Sequence, residues 1–291
     1  MIQTLHNRLF TDHGITGSVL RLDLIHPEVS GNKWFKLKYH LSDALSKGKN
    51  GLVSFGGAYS NHLLAMAFVC HKSGLESTAI IRGDDPLMSN PCLQQMREYG
   101  MKLLFVNRGA YRNKEGLVHQ YLTDHPAYYY VPEGGQSQLG ILGAMEIMQG
   151  DYGKYTDIIC AVGTGTTIAG IINHSAPAQR VTGICSLKIA DKTGNALLGF
   201  LSKNTSKNNF RISFDYHFGG YAKKNDELIR FMNEFYRVEN IPTDFVYTGK
   251  LFYAVHDLIG KEYFTEGSNL LIVHSGGLQG NRSLAQGVLE F

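Results

Sequence analysis

The 291-residue sequence predicts an α/β protein with parallel strands covered by helices. Three observations predict it. Short apolar runs alternate with helix-period segments. The alternation runs through two successive series. Glycine-rich loops follow several of the strands, where ligands bind in such sheets.

The first helix signal starts at Lys33, with Leu37, Leu41 and Leu45 recurring every four residues. A buried strand is expected at 52–55. A helix follows at 60–72, with Ser60 or Asn61 as its cap. Residues 78–81 form the next strand, and Asn90-Pro91 opens a helix with proline at a tolerated position. Strand 102–106, helix 114–122 and strand 128–131 complete this series. The stretch Glu133-Gly134-Gly135-Gln136-Ser137 separates it from the second. There, strands are expected at 157–162, 180–185 and 270–274, and helices at 166–173, 195–201, 223–239 and 251–259. The division expected is a small α/β lobe over 40–140 and a larger lobe from 1–39 plus 141–291. The active site is expected between them.

Composition narrows the function. A net charge of +3 is too mild for a nucleic-acid partner, which calls for clustered basic faces. Cys70, Cys92, Cys160 and Cys185 form no C-x-x-C pair and no zinc spacing, so reduced core thiols are expected. The histidines show no H-E-x-x-H, and no metal is expected. Arg8 lies in the first ten residues without an apolar run, which argues against a secretory signal. The longest apolar stretch, 63–70, is far short of a membrane span. A cytoplasmic protein is expected.

Chemistry concentrates in a few segments. Ser30-Gly31-Asn32-Lys33 places a lysine where a helix begins, one turn before its apolar stripe. Most lysines at such positions are solvated. An amine held toward the core would instead be partly desolvated and nucleophilic. Gly163-Thr164-Gly165-Thr166-Thr167 joins a strand to a helix. Its backbone N–H groups, hydroxyls and helix dipole make a phosphate cup. It lacks the Gly-Lys-Ser/Thr ending of a P-loop. Ile168 stands where a dinucleotide fingerprint needs its third glycine. Ser60 and Asn61 follow Gly56-Gly57. Ser60 is read either as a cap or as a hydroxyl near a substrate carbon or carboxylate. Tyr221 follows Gly219-Gly220, and Tyr247-Thr248-Gly249-Lys250 precedes a helix. Either tyrosine is read as core packing or as a cleft residue. His62 and His274, the latter leading into Ser275-Gly276-Gly277, are the histidines expected to line the site.

Together these segments resemble the pyridoxal-phosphate enzymes of fold type II. They are most similar to the family of 1-aminocyclopropane-1-carboxylate deaminase and D-cysteine desulfhydrase. The resemblance runs from Ser30 to Gly277. It rests on Ser-Gly-Asn-Lys with Lys36-Leu37, on Gly-Gly-x-x-Ser-Asn-His, on Pro132-Glu133-Gly134-Gly135 with Gly140, and on the two C-terminal segments. It implies a two-lobed, tryptophan synthase β-like fold with parallel-rich twisted sheets. It also implies pyridoxal 5'-phosphate bonded to Lys33, with the phosphate in Gly163, Thr164, Gly165, Thr166 and Thr167. Asn61 would bond the ring's phenolic oxygen. Ser60 would bind the substrate carboxylate or move a proton. Tyr221, Tyr247, His62 and Ser275 would meet the substrate, and Thr248 would face the pyridine nitrogen. The ring-opening deaminases carry an acid at position 248, whereas the desulfhydrases carry a hydroxyl. Ser275 likewise replaces an apolar residue typical of the deaminases. β-Elimination from D-cysteine is therefore expected, with 1-aminocyclopropane-1-carboxylate deamination as the alternative. The serine loop reads Ala58-Tyr59 where Ile-Gln is common, so Tyr59 is expected to reshape the pocket. A homodimer is expected. A nucleotide-binding α/β protein using the 163–167 loop without covalent chemistry is the reading from a different class.

Overall fold

The computed structural model describes residues 1–26, 29–84, 90–189 and 195–291. The chain divides into two compact units. One is Met1–Asn32 with Ala144–Phe291, and the other is Lys33–Gly143, against the 40–140 expected.

The larger unit opens with β1 (Ile2–Thr4), α1 (Arg8–Asp12) and β2 (Thr16–Arg21). The smaller unit is read next along the chain: α2 (Asn32–Ser46), β3 (Gly51–Gly56), α3 (Asn61–Ser73), β4 (Glu76–Arg82), α4 (Pro91–Glu98), β5 (Met101–Val106), α5 (Lys114–Asp124), β6 (Tyr128–Tyr130) and most of α6 (Gln138–Met145). Its sheet has the order β5-β4-β3-β6 and is parallel throughout. Val53, Phe55 and Ile80 pack with Tyr111 and Tyr121 on one face. Each helix has a local cause. Asn90 accepts from the N–H groups of Cys92 and Leu93, with Pro91 at the first helical position. Ser60 accepts from Leu63 N–H at 3.2 Å, and Gly74 closes α3 at φ 67°.

The leucine stripe expected on α2 is corrected. Leu37 is buried, but Leu45 is 50% exposed. The buried face runs through Lys36, Leu37, His40 and Ala44. A four-residue repeat overshoots the 3.6-residue turn, so leucines spaced by four drift about 40° per step around the helix.

The larger unit resumes with β7 (Asp157–Val162), α7 (Thr166–His174), β8 (Arg180–Cys185), α8 (Asn195–Asn204), β9 (Phe210–Ser213), α9 (Asp226–Glu239), α10 (Thr248–Gly260) and β10 (Asn269–His274). Its sheet order is β1-β2-β10-β7-β8-β9. Only β1 runs antiparallel to its neighbour. β7 and β10 carry nearly continuous apolar runs, and both are buried along their length, as parallel strands covered on both faces are. Ile159, Ile184, Leu270 and Ile272 meet Phe252, Val255 and Ile259 of α10 in the core. Asn225 caps α9, so that helix starts at Asp226 rather than at 223. No helix of the described residues is long and apolar enough to cross a membrane.

Candidate active site

In the larger unit, β2, β10, β7 and β8 lie side by side and parallel. Their carboxyl ends therefore share one edge, and the segments leaving them meet there. Those segments are the approach to Gly31 and Asn32, the turn at Ser275, the 163–167 loop and Ser186.

The 163–167 loop has the make-up of an anion-binding element. Gly165 stands at φ 88° as the N-cap of α7, with Thr166 and Thr167 in the first turn. The leading N–H groups of a helix have no partner within it, and they point at the loop with the positive end of the dipole. Thr164 and Thr166 hydroxyls are 3.1 Å apart. A Cβ on Gly165 would come within 2.8 Å of Leu197 Cδ1. The nine-residue helix and its threonines fit a phosphate group.

Asn32 ties this loop to the start of α2. Its side-chain amide donates to Thr167 Oγ1 at 2.8 Å, and its backbone N–H donates to Ser275 O at 3.0 Å. Gly31 makes the approach possible. It sits at φ 86°, and a Cβ there would fall 1.9 Å from Ser275 O. Lys33, the next residue, is partly buried. It is the second residue of α2, one turn before the buried Leu37.

The turn after β10 is held by His274, which is fully buried. Its Nε2 lies 2.8 Å from Pro242 O, and its Nδ1 accepts from Gly276 N–H at 3.2 Å. That pattern is a neutral ring. Burial lowers its pKa, with the Asp23 carboxylate 3.3 Å away opposing. Asp23 is itself paired with Arg21 at 2.6 Å. His274 thus supports the Ser275 turn from beneath, which differs from the lining role expected of it.

The start of α10 and the turn before Tyr221 bring three more residues. Tyr247 rests against the loop: a Cβ on Gly163 would meet its Cε1 at 3.1 Å. Tyr221, 49% exposed, lies edge-on to Tyr247 with ring centroids 6.2 Å apart. Thr248 is fully buried. Its hydroxyl donates to Asp244 Oδ1 at 2.8 Å and accepts from Asp244 N–H at 2.7 Å. The Asp244 carboxylate also receives the N–H groups of Val246, Tyr247 and Thr248. Burial pushes Asp244 above the usual carboxylate range, and these donors pull it back. The one proton on Thr248 is thus already committed to a carboxylate.

The smaller unit carries the other predicted residues. Ser60 caps α3 through Leu63, which leaves its hydroxyl proton for another acceptor. Gly56 clears the space, since a Cβ there would sit 2.7 Å from Ser60 Oγ. Asn61 begins α3 and is partly buried. His62 is 3% exposed, with Nε2 2.8 Å from Ser54 Oγ. Burial first, then the charges of Lys33 and Lys36, hold it far below its ordinary pKa. It is a neutral core histidine supporting the serine loop, so a direct substrate contact expected of it is not what this arrangement presents.

Sequence reasoning passed over Asn32, Ser186 and Asp244 as site residues. Ser186 follows β8, is fully buried, and its N–H donates to Val162 O at 3.0 Å, beside Gly163. Its Oγ has no hydrogen-bond partner among the described residues. A buried hydroxyl left unpaired next to a phosphate cup suits a bound group that supplies the partner. Asp244, four residues before Thr248, was visible as a capping aspartate ahead of a helix. No spacing rule marks Asn32 or Ser186. Among the described residues, no group of three His, Cys, Asp or Glu side chains could hold a metal.

The edge of parallel strands, the glycine–threonine cup and the lysine beside Asn32 define an α/β enzyme scaffold for a phosphorylated cofactor. The sequence pattern of pyridoxal-phosphate dependent enzymes matches residues 5–276, and the chain belongs to that family. A relative from Pyrococcus abyssi named "Putative 1-aminocyclopropane-1-carboxylate deaminase" is 29% identical, over 97% of this chain and 91% of its own. One of the same name from Thermotoga maritima is 27% identical, over 94% and 92%. The solved structure of an ACC deaminase homologue superposes with a TM-score of 0.82 at 26% identity, covering 97% of this chain and 90% of the other. The fold is that of fold type II pyridoxal-phosphate enzymes, as the resemblance implied, and pyridoxal phosphate is the cofactor. The reading as a nucleotide-binding protein without covalent chemistry falls with this assignment.

Proposed function

We propose that the chain is a lyase of a small amino acid that converts D-cysteine and water to pyruvate, ammonia and hydrogen sulfide. The observation that carries this reading is Thr248. A neutral hydroxyl stands there, with its proton on Asp244, where the ring-opening enzymes carry an acid.

Bound pyridoxal phosphate supplies a covalent hold on the substrate amino group and an electron sink for the adjacent carbon. The chain's own residues do the rest. The 163–167 loop, fixed by Asn32 through Thr167, holds the phosphate. Ser186 Oγ adds a donor beside it. Lys33 holds the cofactor covalently, and its amine, once free, carries a proton at the substrate α-carbon. Ser60 binds the substrate carboxylate, and Asn61 orients the ring by its phenolic oxygen. Tyr221 and Tyr247 flank the substrate, and their hydroxyls can protonate the departing sulfur. β-Elimination demands less of the electron sink than ring opening, because a thiolate leaves readily once the α-proton is gone.

A second reading is deamination of 1-aminocyclopropane-1-carboxylate to 2-oxobutanoate and ammonia. The names of the relatives favour it. A 2-oxo-acid release assay over a panel of D- and L-amino acids separates the two. Pyruvate with stoichiometric sulfide from D-cysteine supports the first reading. Release of 2-oxobutanoate from the cyclopropane substrate, with none from D-cysteine, overturns it in favour of the second.

A further inference from the structure

Lys250, in the first turn of α10, is fully buried. Its Nζ donates to the backbone oxygens of His217 and Gly220, both at 2.8 Å. Burial lowers its pKa to about 8, with Asp244 opposing. A buried amine is costly, so its acceptors indicate what it is for. Here they are two carbonyls of one turn.

That turn needs an external hold. Phe218, Gly219, Gly220 and Ala222 stand at φ 50°, 90°, 121° and 53°. Two of these are not glycine, and each stores strain that the surroundings must compensate. Phe218 anchors the start of the turn, edge-on to Tyr253 at 4.9 Å. Otherwise the outer side faces an open cavity of about 450 Å³ lined by Asp215, His217, Gly219 and Glu227 among others. At the end of the turn the ring contact is looser, Tyr221 lying edge-on to Tyr247 at 6.2 Å. There Gly220 O, the carbonyl immediately before Tyr221, is held by Lys250. Tyr221 in turn sits against Tyr247, which rests on Gly163 of the phosphate cup.

We propose that Lys250 is a positioning residue: it fastens the turn of residues 217–220 so that Tyr221 is presented beside Tyr247 at the mouth of the cup. The proposal rests on the reading above that Tyr221 meets the substrate. Lys250 itself touches neither substrate nor cofactor.

The test uses holoenzyme carrying Lys250→Met, which keeps the length and removes the donors. Lys223 and Lys224 are exposed just beyond the turn, so trypsin reports its release. The expected result is at least a tenfold faster cut there, with pyridoxal phosphate affinity within twofold of the parent. The double variant with Tyr221→Phe is expected to lose no more turnover than the worse single variant, because one residue acts through the other. Lys250→Gln, which retains an amide donor, is expected to recover part of the protection, and it replaces Lys250→Met if that variant does not fold. An unchanged cutting rate, or losses from the two positions that multiply, overturns the proposal. If no amino acid in the panel is turned over, the functional reading fails, while the cutting rate still decides whether Lys250 holds the turn.

Discussion

The side-chain amide of Asn32 donates to Thr167 Oγ1 at 2.8 Å, and so joins the residue before Lys33 to the first turn of α7. Asn32→Ala is expected to cost about 1 kcal/mol, or roughly fivefold in affinity for pyridoxal phosphate. Equilibrium dialysis checks this. Pyridoxal, which lacks the phosphate, should bind both proteins alike; an equal loss for both ligands would refute a phosphate-specific role.

Lys33→Ala removes the amine proposed for covalent attachment of the cofactor. An imine-linked pyridoxal phosphate absorbs in the visible, and the expected outcome is loss of that band and a fall in turnover of at least about 10²-fold. The cup is untouched, so reversible binding of pyridoxal phosphate persists. A variant that keeps the band after gel filtration would show that another amine carries the cofactor.

Gly31→Ala tests the close approach. The added carbon would lie 1.9 Å from a backbone oxygen, at a φ that side chains avoid. Backbone must move, and the expected cost exceeds about 3 kcal/mol. Denaturant unfolding measures it. A midpoint within error of the parent would mean that the turn at Ser275 yields freely.

Acid should weaken the fold through its buried histidines. Burial lowers His40 from 6.5 to about 4, with Asp43 opposing, and it also lowers His62, His256 and His274. A depressed pKa means that the unfolded chain binds the proton more readily. The stabilisation is therefore complete above 6.5 and is lost as pH falls toward about 4. His40 alone accounts for about 2 kcal/mol by about pH 5. His40→Gln, able to keep a bond to Ser137, is expected to flatten the pH profile of the urea midpoint between about pH 7.5 and 5. An unchanged slope would contradict this assignment.

How much could be read beforehand follows the chemistry of each segment. β7 and β10 are unbroken apolar runs and were plain in the sequence. β2 is equally buried but reads Thr-Gly-Ser-Val-Leu-Arg, and only its place between β1 and β10 makes it a strand. β9 is a four-residue edge strand, too short to carry a period. The 163–167 loop was legible as a strand-to-helix turn from its glycines and threonines. Lys33 was legible only through its neighbours in the motif. Asn32 and Ser186 were not, since their roles depend on partners far away in sequence.

The position of β10 has a consequence for synthesis. It is the last strand among the described residues, yet it lies between β2 and β7, both of which precede it in the chain. A nascent chain leaving the ribosome holds two halves of a sheet with a vacant slot until residue 274 emerges. During translation the bare edges of β2 and β7 are open to pairing with other chains. A chain truncated before Asn269 can never close that gap, so quality control, rather than partial activity, is the expected fate of such products.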